Sequence, residues 1–197
     1  MLHIKTLPLG SYQTNCYIVW EEESSECIVI DPGFTPEVVL QKAKELGKRI
    51  DAILLTHGHF DHVGGVRAIA DLTGCAVYIH EQELSMPEAW TGGPLYYTDT
   101  YGQGDVLQLC GLTLRVLHTP GHTPGSVCLL CGDTLFSGDT LFMDSCGRTD
   151  LPGGNTATLL ASLKRLAALP GDYQVLSGHG PATTLSAERQ YNPYLQG

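Results

Sequence analysis

Apolar and polar positions along this chain predict strands first, then strands interleaved with helices. Residues 2–9, 16–20 and 27–30 are short apolar runs read as three strands, with the polar stretch 21–26 as a turn. Asp31-Pro32-Gly33 closes the third strand. Thr35-Pro36-Glu37 reads as a helix start, with a threonine hydroxyl as N-cap and proline at the first helical position. Val39, Leu40, Ala43 and Leu46 give that helix its apolar stripe, and Gly47 ends it. Residues 50–56 predict a strand, 66–73 a short helix stopped by Gly74, and 76–80 another strand. Residues 81–105 are the least regular part. There Gly92-Gly93-Pro94 and Tyr96-Tyr97 belong to a loop that either flanks a pocket or packs on the surface. From 106 the pattern is β again, over 106–110, 112–118, 126–131, 134–136 and 141–143, with glycine turns that suggest a meander. Leu159, Leu160, Leu163 and Leu166 mark an amphipathic helix over 156–169, ended by Pro170-Gly171. A last strand covers 173–177, and the tail from 184 is expected to be partly helical. Strand groups mixed with helices favour two sheets packed together with helices outside.

Composition narrows the setting. At 197 residues, without a low-complexity linker, the chain is expected to form one domain over 1–197. The 43% apolar and 16% charged content describes a globular protein with ample core. No apolar run approaches the ~20 residues of a membrane span. The first residues lack the pattern of a secretory leader, so the cytoplasm is the expected location. Seven cysteines, an odd number scattered mostly in apolar runs, read as free buried thiols in a reducing compartment. Cys128 and Cys131 have redox-motif spacing, yet on a strand they point to opposite faces and read as core. A net charge of −10 argues against nucleic acid and anionic membranes as partners. A small molecule is the expected partner.

The candidate chemistry is concentrated after the strand at 50–56. Thr56-His57-Gly58-His59-Phe60-Asp61-His62 places three imidazoles and one carboxylate within six residues. Imidazole nitrogen and carboxylate oxygen suit zinc, iron or manganese. A helix would bring only His57/Asp61 and His59/His62 onto shared faces, so a turning loop is expected. Three more candidates stand at strand ends beside glycine: His122, Asp139 and His179. Five histidines and two aspartates suffice for two ions with a bridging carboxylate.

With these residues in view the chain resembles the metallo-β-lactamase fold superfamily, and within it the single-domain glyoxalase II-like (hydroxyacylglutathione hydrolase-like) hydrolases. The marks are Asn15-Cys16-Tyr17, Asp31-Pro32-Gly33, the 57–62 cluster, 119–126, Gly138-Asp139, Gly147-Arg148-Thr149-Asp150, and Gly178-His179-Gly180-Pro181. Glu188-Arg189 and Asn192-Pro193 follow. The resemblance implies an α/β fold, a four-layer αβ/βα sandwich of two mixed sheets with helices outside and metals at the open edge. It assigns His57, His59 and His122 to one ion and Asp61, His62 and His179 to a second, with Asp139 bridging. It also implies two divalent cations, zinc foremost with iron or manganese as alternatives. β-Lactamases of the common kind carry cysteine where Asp139 stands.

The expected reaction is thioester hydrolysis of the S-lactoylglutathione type, by a hydroxide shared between the ions, since metal binding brings water's pKa to about 7. Asp61 and Asp139 are the expected catalytic carboxylates, Asp61 binding metal and orienting the nucleophile. A thiol's pKa of about 8.5 leaves little need for a proton donor to the leaving group. Arg148 and Asp150 are expected to support the site loop or line the substrate pocket, or simply to pair with each other. His80 and His118 are expected to be hydrogen-bonded strand residues. No helical C-terminal domain of the kind with which two-domain glyoxalase II enzymes hold glutathione is expected in this chain. Two other readings use the same residues: an Fe(II) persulfide dioxygenase on His57, His122 and Asp139, and a phosphodiesterase or nuclease.

Overall fold

Six strands run in sequence order across the first sheet of the computed structural model, which describes residues 1–196. They are β1 (Leu2–Leu9), β2 (Thr14–Glu21), β3 (Glu26–Ile30), β4 (Arg49–Leu54), β5 (Ala76–His80) and β6 (Asp99–Tyr101). β1, β2 and β3 are antiparallel neighbours, and β3 to β6 are parallel. The parallel half needs crossovers. Helix α1 (Pro36–Glu45) supplies the first; α2 (Phe60–Val63) and α3 (Val66–Thr73) supply the next. A 3₁₀ turn, Glu81–Ser85, and helix α4 (Glu88–Thr91) fill the irregular stretch before β6.

The second sheet begins with β7 (Val106–Leu109), β8 (Leu112–His118), β9 (Val127–Cys131) and β10 (Thr134–Gly138), the expected antiparallel meander. A separate two-stranded hairpin, β11 (Leu141–Phe142) and β12 (Ser145–Cys146), follows. After α5 (Thr156–Ala167) the chain returns as β13 (Gln174–Ser177), parallel to β10, then β14 (Thr183–Thr184) and α6 (Leu185–Tyr191).

Period-2 alternation puts each strand's residues on two different cores. Tyr17, Val19, Ile28 and Ile30 pack against Leu114, Val116, Leu129 and Phe136 between the sheets. Ile18, Val29, Ile53 and Val77 face outward onto α1 and α3 through Val39, Val66 and Ile69. On the other side Leu135 and Val175 meet Leu159, Leu163 and Leu166 of α5. Four layers result, αβ/βα. Cys131 lies in the inter-sheet core and Cys128 in the outer one, on opposite faces of β9, and all seven cysteines are free.

Two local expectations are corrected. Thr35 does precede α1, but its backbone is left-handed (φ 46°) and its hydroxyl caps nothing. Pro36 at the first helical position, with its fixed φ and no N–H of its own to satisfy, starts the helix without that cap. The 57–62 cluster is not all loop: Asp61 and His62 sit on the one-turn helix α2, while His57 and His59 precede it. Among the described residues no helix is long and apolar enough to cross a membrane.

Candidate metal centre

Every candidate ligand follows the C-terminal end of a strand. β4 leads into His57, β8 into His122, β10 into Asp139 and β13 into His179. β8, β10 and β13 run in one direction, so their carboxyl ends share an edge. The Val127 N–H donates to the Thr56 carbonyl (2.9 Å) and brings the ends of the two sheets together there. Open α/β sheets place ligands in such positions.

The structure gathers all seven predicted residues. His57, His59 and His122 present ligand atoms within 4.8 Å of one another, as do Asp61, His62 and His179. Asp139 joins the two groups: Oδ2 lies 3.5 Å from His122 Nε2 and 3.6 Å from His179 Nε2, while Oδ1 lies 3.5 Å from His62 Nε2. In the second group, His62 Nε2 and His179 Nε2 are 3.4 Å apart, and Asp61 Oδ2 is 3.2 Å from His179 Nε2. Two ligand atoms about 2.1 Å from one ion at a tetrahedral angle lie roughly 3.4 Å apart. The spacing fits ligands that share a cation.

Four histidines have their tautomer set from behind. The Thr56 hydroxyl donates to Asp31 Oδ2 (2.6 Å), so its oxygen is left to accept from His57 Nδ1 at 3.1 Å. His62 Nδ1 donates to Asp31 Oδ2 (2.9 Å), His122 Nδ1 to the Arg148 carbonyl (2.8 Å), and His179 Nδ1 to the Tyr12 carbonyl (3.2 Å). Carbonyl and carboxylate oxygens only accept, so each proton is on Nδ1 and each Nε2 lone pair turns to the centre. His59 differs, offering Nδ1 at 2.9 Å from His122 Nε2. Three buried atoms have no hydrogen-bond partner among the described residues: His57 Nε2, His59 Nε2 and Asp139 Oδ1. Orphaned buried polar atoms are rare and costly. The donor set fits divalent cations.

Charge agrees. Burial, then the neighbouring imidazoles, pushes His57 well down and His59 down to about 4, so both are neutral and can ligate. Burial also pulls on His62, but the carboxylates of Asp139, Asp31 and Asp61 outweigh it and carry this histidine up to about 9, so its Nε2 lone pair is freed when a cation displaces the proton. The second group therefore has an excess of negative charge that a cation would neutralise. For Asp61, burial is outweighed by His179 and His62, and its carboxyl is held below the usual range; the Thr14 hydroxyl also donates to it (3.0 Å).

Several residues support the ligands from behind; Asn15, Tyr17, Asp31 and Gly178 stand among the marks of the resemblance without an assigned role, and Glu83 is missed by the sequence reading. Asp31 accepts from the Thr56 N–H (2.8 Å) as well as from Thr56 Oγ1 and His62, so both its oxygens are engaged behind the ligands, although it also comes within ligand spacing of His57 and His62. Its replacement by asparagine is expected to lower metal affinity about 10–100-fold, as loss of a histidine's rear partner does. Competition against a chromophoric chelator checks this. Glu83, fully buried, accepts from the Gly58 and Gly125 N–H groups, both at 2.6 Å, and so ties the first ligand loop to the loop of His122. Asn15 and Tyr17 clamp the His179 loop through the Ser177 carbonyl (3.0 and 2.6 Å), and Asn15 also reaches the Gly180 carbonyl. Gly178 has a steric reason to be there. A Cβ on it would stand 2.2 Å from Asp139 Oδ1 and 2.6 Å from His62 Cε1.

Arg148 and Asp150 form an exposed ion pair, with both bonds at 2.7 Å. Arg148 lines the cleft above the cluster, whereas Asp150 is absent from that lining. Arg148's direct tie to the centre is its backbone carbonyl on His122. His80 and His118 stack at 4.2 Å and are hydrogen-bonded to Gln82 and Pro124, away from the cluster.

The family model described as the Metallo-beta-lactamase superfamily matches residues 9–179. The chain belongs to the metallo-β-lactamase superfamily. Membership in the superfamily, with this donor set, supports a metal-dependent hydrolase. A relative named hydroxyacylglutathione hydrolase GloC, from Haemophilus influenzae, is 34% identical, covering 98% of each chain. The crystal structure of BLEG-1 B3 metallo-beta-lactamase superposes with a TM-score of 0.91 at 40% identity, covering 99% of this chain and 100% of that one. A crystal structure of TTHA1623 in a di-iron-bound form gives 0.86, also at 40% identity, covering 97% and 100%.

Proposed function

We propose that this metallo-β-lactamase superfamily protein hydrolyses thioesters, S-lactoylglutathione-type acyl thioesters among them, at the seven-residue centre. The observation that carries the reading is the set of buried polar atoms without partners, His57 Nε2 and Asp139 Oδ1 foremost, in a cluster whose His59, Asp61, His122, Asp139 and His179 line an open cleft. Among the described residues, the cleft lining offers no activated side-chain nucleophile. Cys146 lines it, but burial pushes its thiol up, away from the thiolate form. Water is therefore the nucleophile. Divalent cations in the two groups would supply Lewis acidity and lower the pKa of water to about 7.

The chain's own residues hold and orient. Asp31, the Arg148 carbonyl and the Tyr12 carbonyl keep the imidazoles of His62, His122 and His179 in the tautomer that faces inward. Asp61, held in place by Thr14, keeps a carboxylate oxygen beside His179 and can orient the attacking water. Asp139 stands between the groups, 3.5–3.6 Å from His62, His122 and His179. An amide would need an acid to protonate its leaving nitrogen, and Asp61 is held ionised. A thiolate leaves without one.

Zinc is the first expectation for the cations; the di-iron form of TTHA1623 makes iron the alternative to test. The GloC name directs the assay to S-lactoylglutathione, and the likeness to BLEG-1 adds a β-lactam to the panel. The test is steady-state hydrolysis by the purified holoprotein, with and without chelator, alongside oxygen uptake on glutathione persulfide. Chelator-sensitive thioester cleavage is the expected result. Oxygen consumption with one iron per chain, or turnover of the β-lactam alone, would overturn it.

A further inference from the structure

The cleft over the cluster encloses about 440 Å³, and its walls are mostly apolar. Trp90 lies on the side of His59, ring to ring 6.5 Å, and Phe142 on the side of His179 at 6.4 Å. Tyr12 meets Phe60 edge-on at 5.3 Å, and Leu151 completes the wall. Among the described residues, the lining holds no lysine and a single arginine, Arg148. That guanidinium is already engaged through Nε and Nη2 by both carboxylate oxygens of Asp150. The chain as a whole carries a charge of −10. Two divalent cations in the cluster would offset part of that charge and leave the molecule negative, so a substrate arm with carboxylates or phosphates that reaches past the ions would find no unpaired cation among the lining side chains. An apolar or aromatic arm would find rings on both flanks of the reacting centre.

We infer that the cleft selects thioesters whose thiol arm is uncharged and apolar, and that glutathione thioesters are cleaved only with a raised KM. This rests on the thioester reading and refines it. The scissile group is fixed by the ligand cluster and the preference by Trp90, Phe142 and Tyr12, so the two can fail separately. The rings act on binding of the arm, which places the discrimination in KM rather than kcat.

The test uses the holoprotein and three acetyl thioesters that share one acyl group: those of benzyl mercaptan, N-acetylcysteamine and glutathione. The benzyl thioester is expected to exceed the glutathione thioester in kcat/KM by at least about tenfold, with the difference in KM. Raising ionic strength should lower KM for the glutathione thioester and leave the benzyl one in place. Trp90→Ala and Phe142→Ala should each shrink the benzyl advantage, while Trp90→Phe, which keeps a ring, should retain most of it. A glutathione thioester with the lowest KM, or a benzyl advantage untouched by both alanine variants, overturns the inference and leaves thioester hydrolysis standing. No turnover of any of the three defeats the thioester reading and this inference together.

Discussion

Asp139→Asn is expected to lower kcat/KM by at least about 100-fold while the chain stays folded. Removing a partner that only supports a ligand costs about 10–100-fold in affinity or activity. Asp139 stands further in. Its side chain is 11% exposed, Oδ1 has no partner, and its oxygens lie 3.5–3.6 Å from histidines of both groups. Asparagine keeps the shape but removes the charge, and its NH2 would point a donor where a cation needs an acceptor. Metal content should fall with activity, and the melting temperature in chelator should hardly change. Elemental analysis, steady-state kinetics and thermal melts on one preparation check the three parts. Retained metal and activity would remove Asp139 from the centre.

The second large effect falls on stability. Glu83→Ala would strip the acceptors from two buried N–H groups, those of Gly58 and Gly125. Each unsatisfied buried group costs about 1–3 kcal/mol. For two, and for a chain of this length, the melting temperature should drop by roughly 5–20 °C. Burial raises the Glu83 carboxyl on balance, against the opposing pull of Thr123 and of its two backbone donors. Glu83→Gln keeps one amide oxygen for one donor and should fall between wild type and alanine. Because the two glycines sit in the loops of His57, His59 and His122, metal affinity should weaken in the same order. A melt indistinguishable from wild type in the alanine variant would deny Glu83 this role.

These variants also show where reading the chain by itself succeeds. Period-2 and helical patterns located Leu2–Leu9, Val66–Thr73, Ala76–His80 and Leu112–His118, because their burial repeats with the element's own geometry. Ligands could be named because histidine and aspartate stood beside glycine at strand ends, where sharp turns are possible. Glu83 could not. It looks like any acid in an irregular stretch, and its meaning depends on two backbone groups that tertiary packing brings to it. Asp31 marked a turn, but its hold on His62 crosses from β3 to α2 and leaves no local trace. In the tail, Glu188-Arg189 and Asn192-Pro193 are marks of the resemblance without a role until the fold supplies one: Glu188 accepts from the Asp144 N–H and Asn192 donates to the Ser145 carbonyl, which secures the β11–β12 hairpin beside the cleft. Trp90 and Phe142, from an irregular stretch and a two-residue strand, become neighbours of the centre only after folding.

Metal content per chain tests the central claim most directly, measured beside thioesterase activity on wild type and on His57→Ala and His179→Ala. The account predicts about two equivalents in the wild type, loss of one group's metal in each variant, and activity that disappears with chelator and returns on adding zinc or iron. Full hydrolysis by metal-free protein, or metal content indifferent to both substitutions, would contradict it.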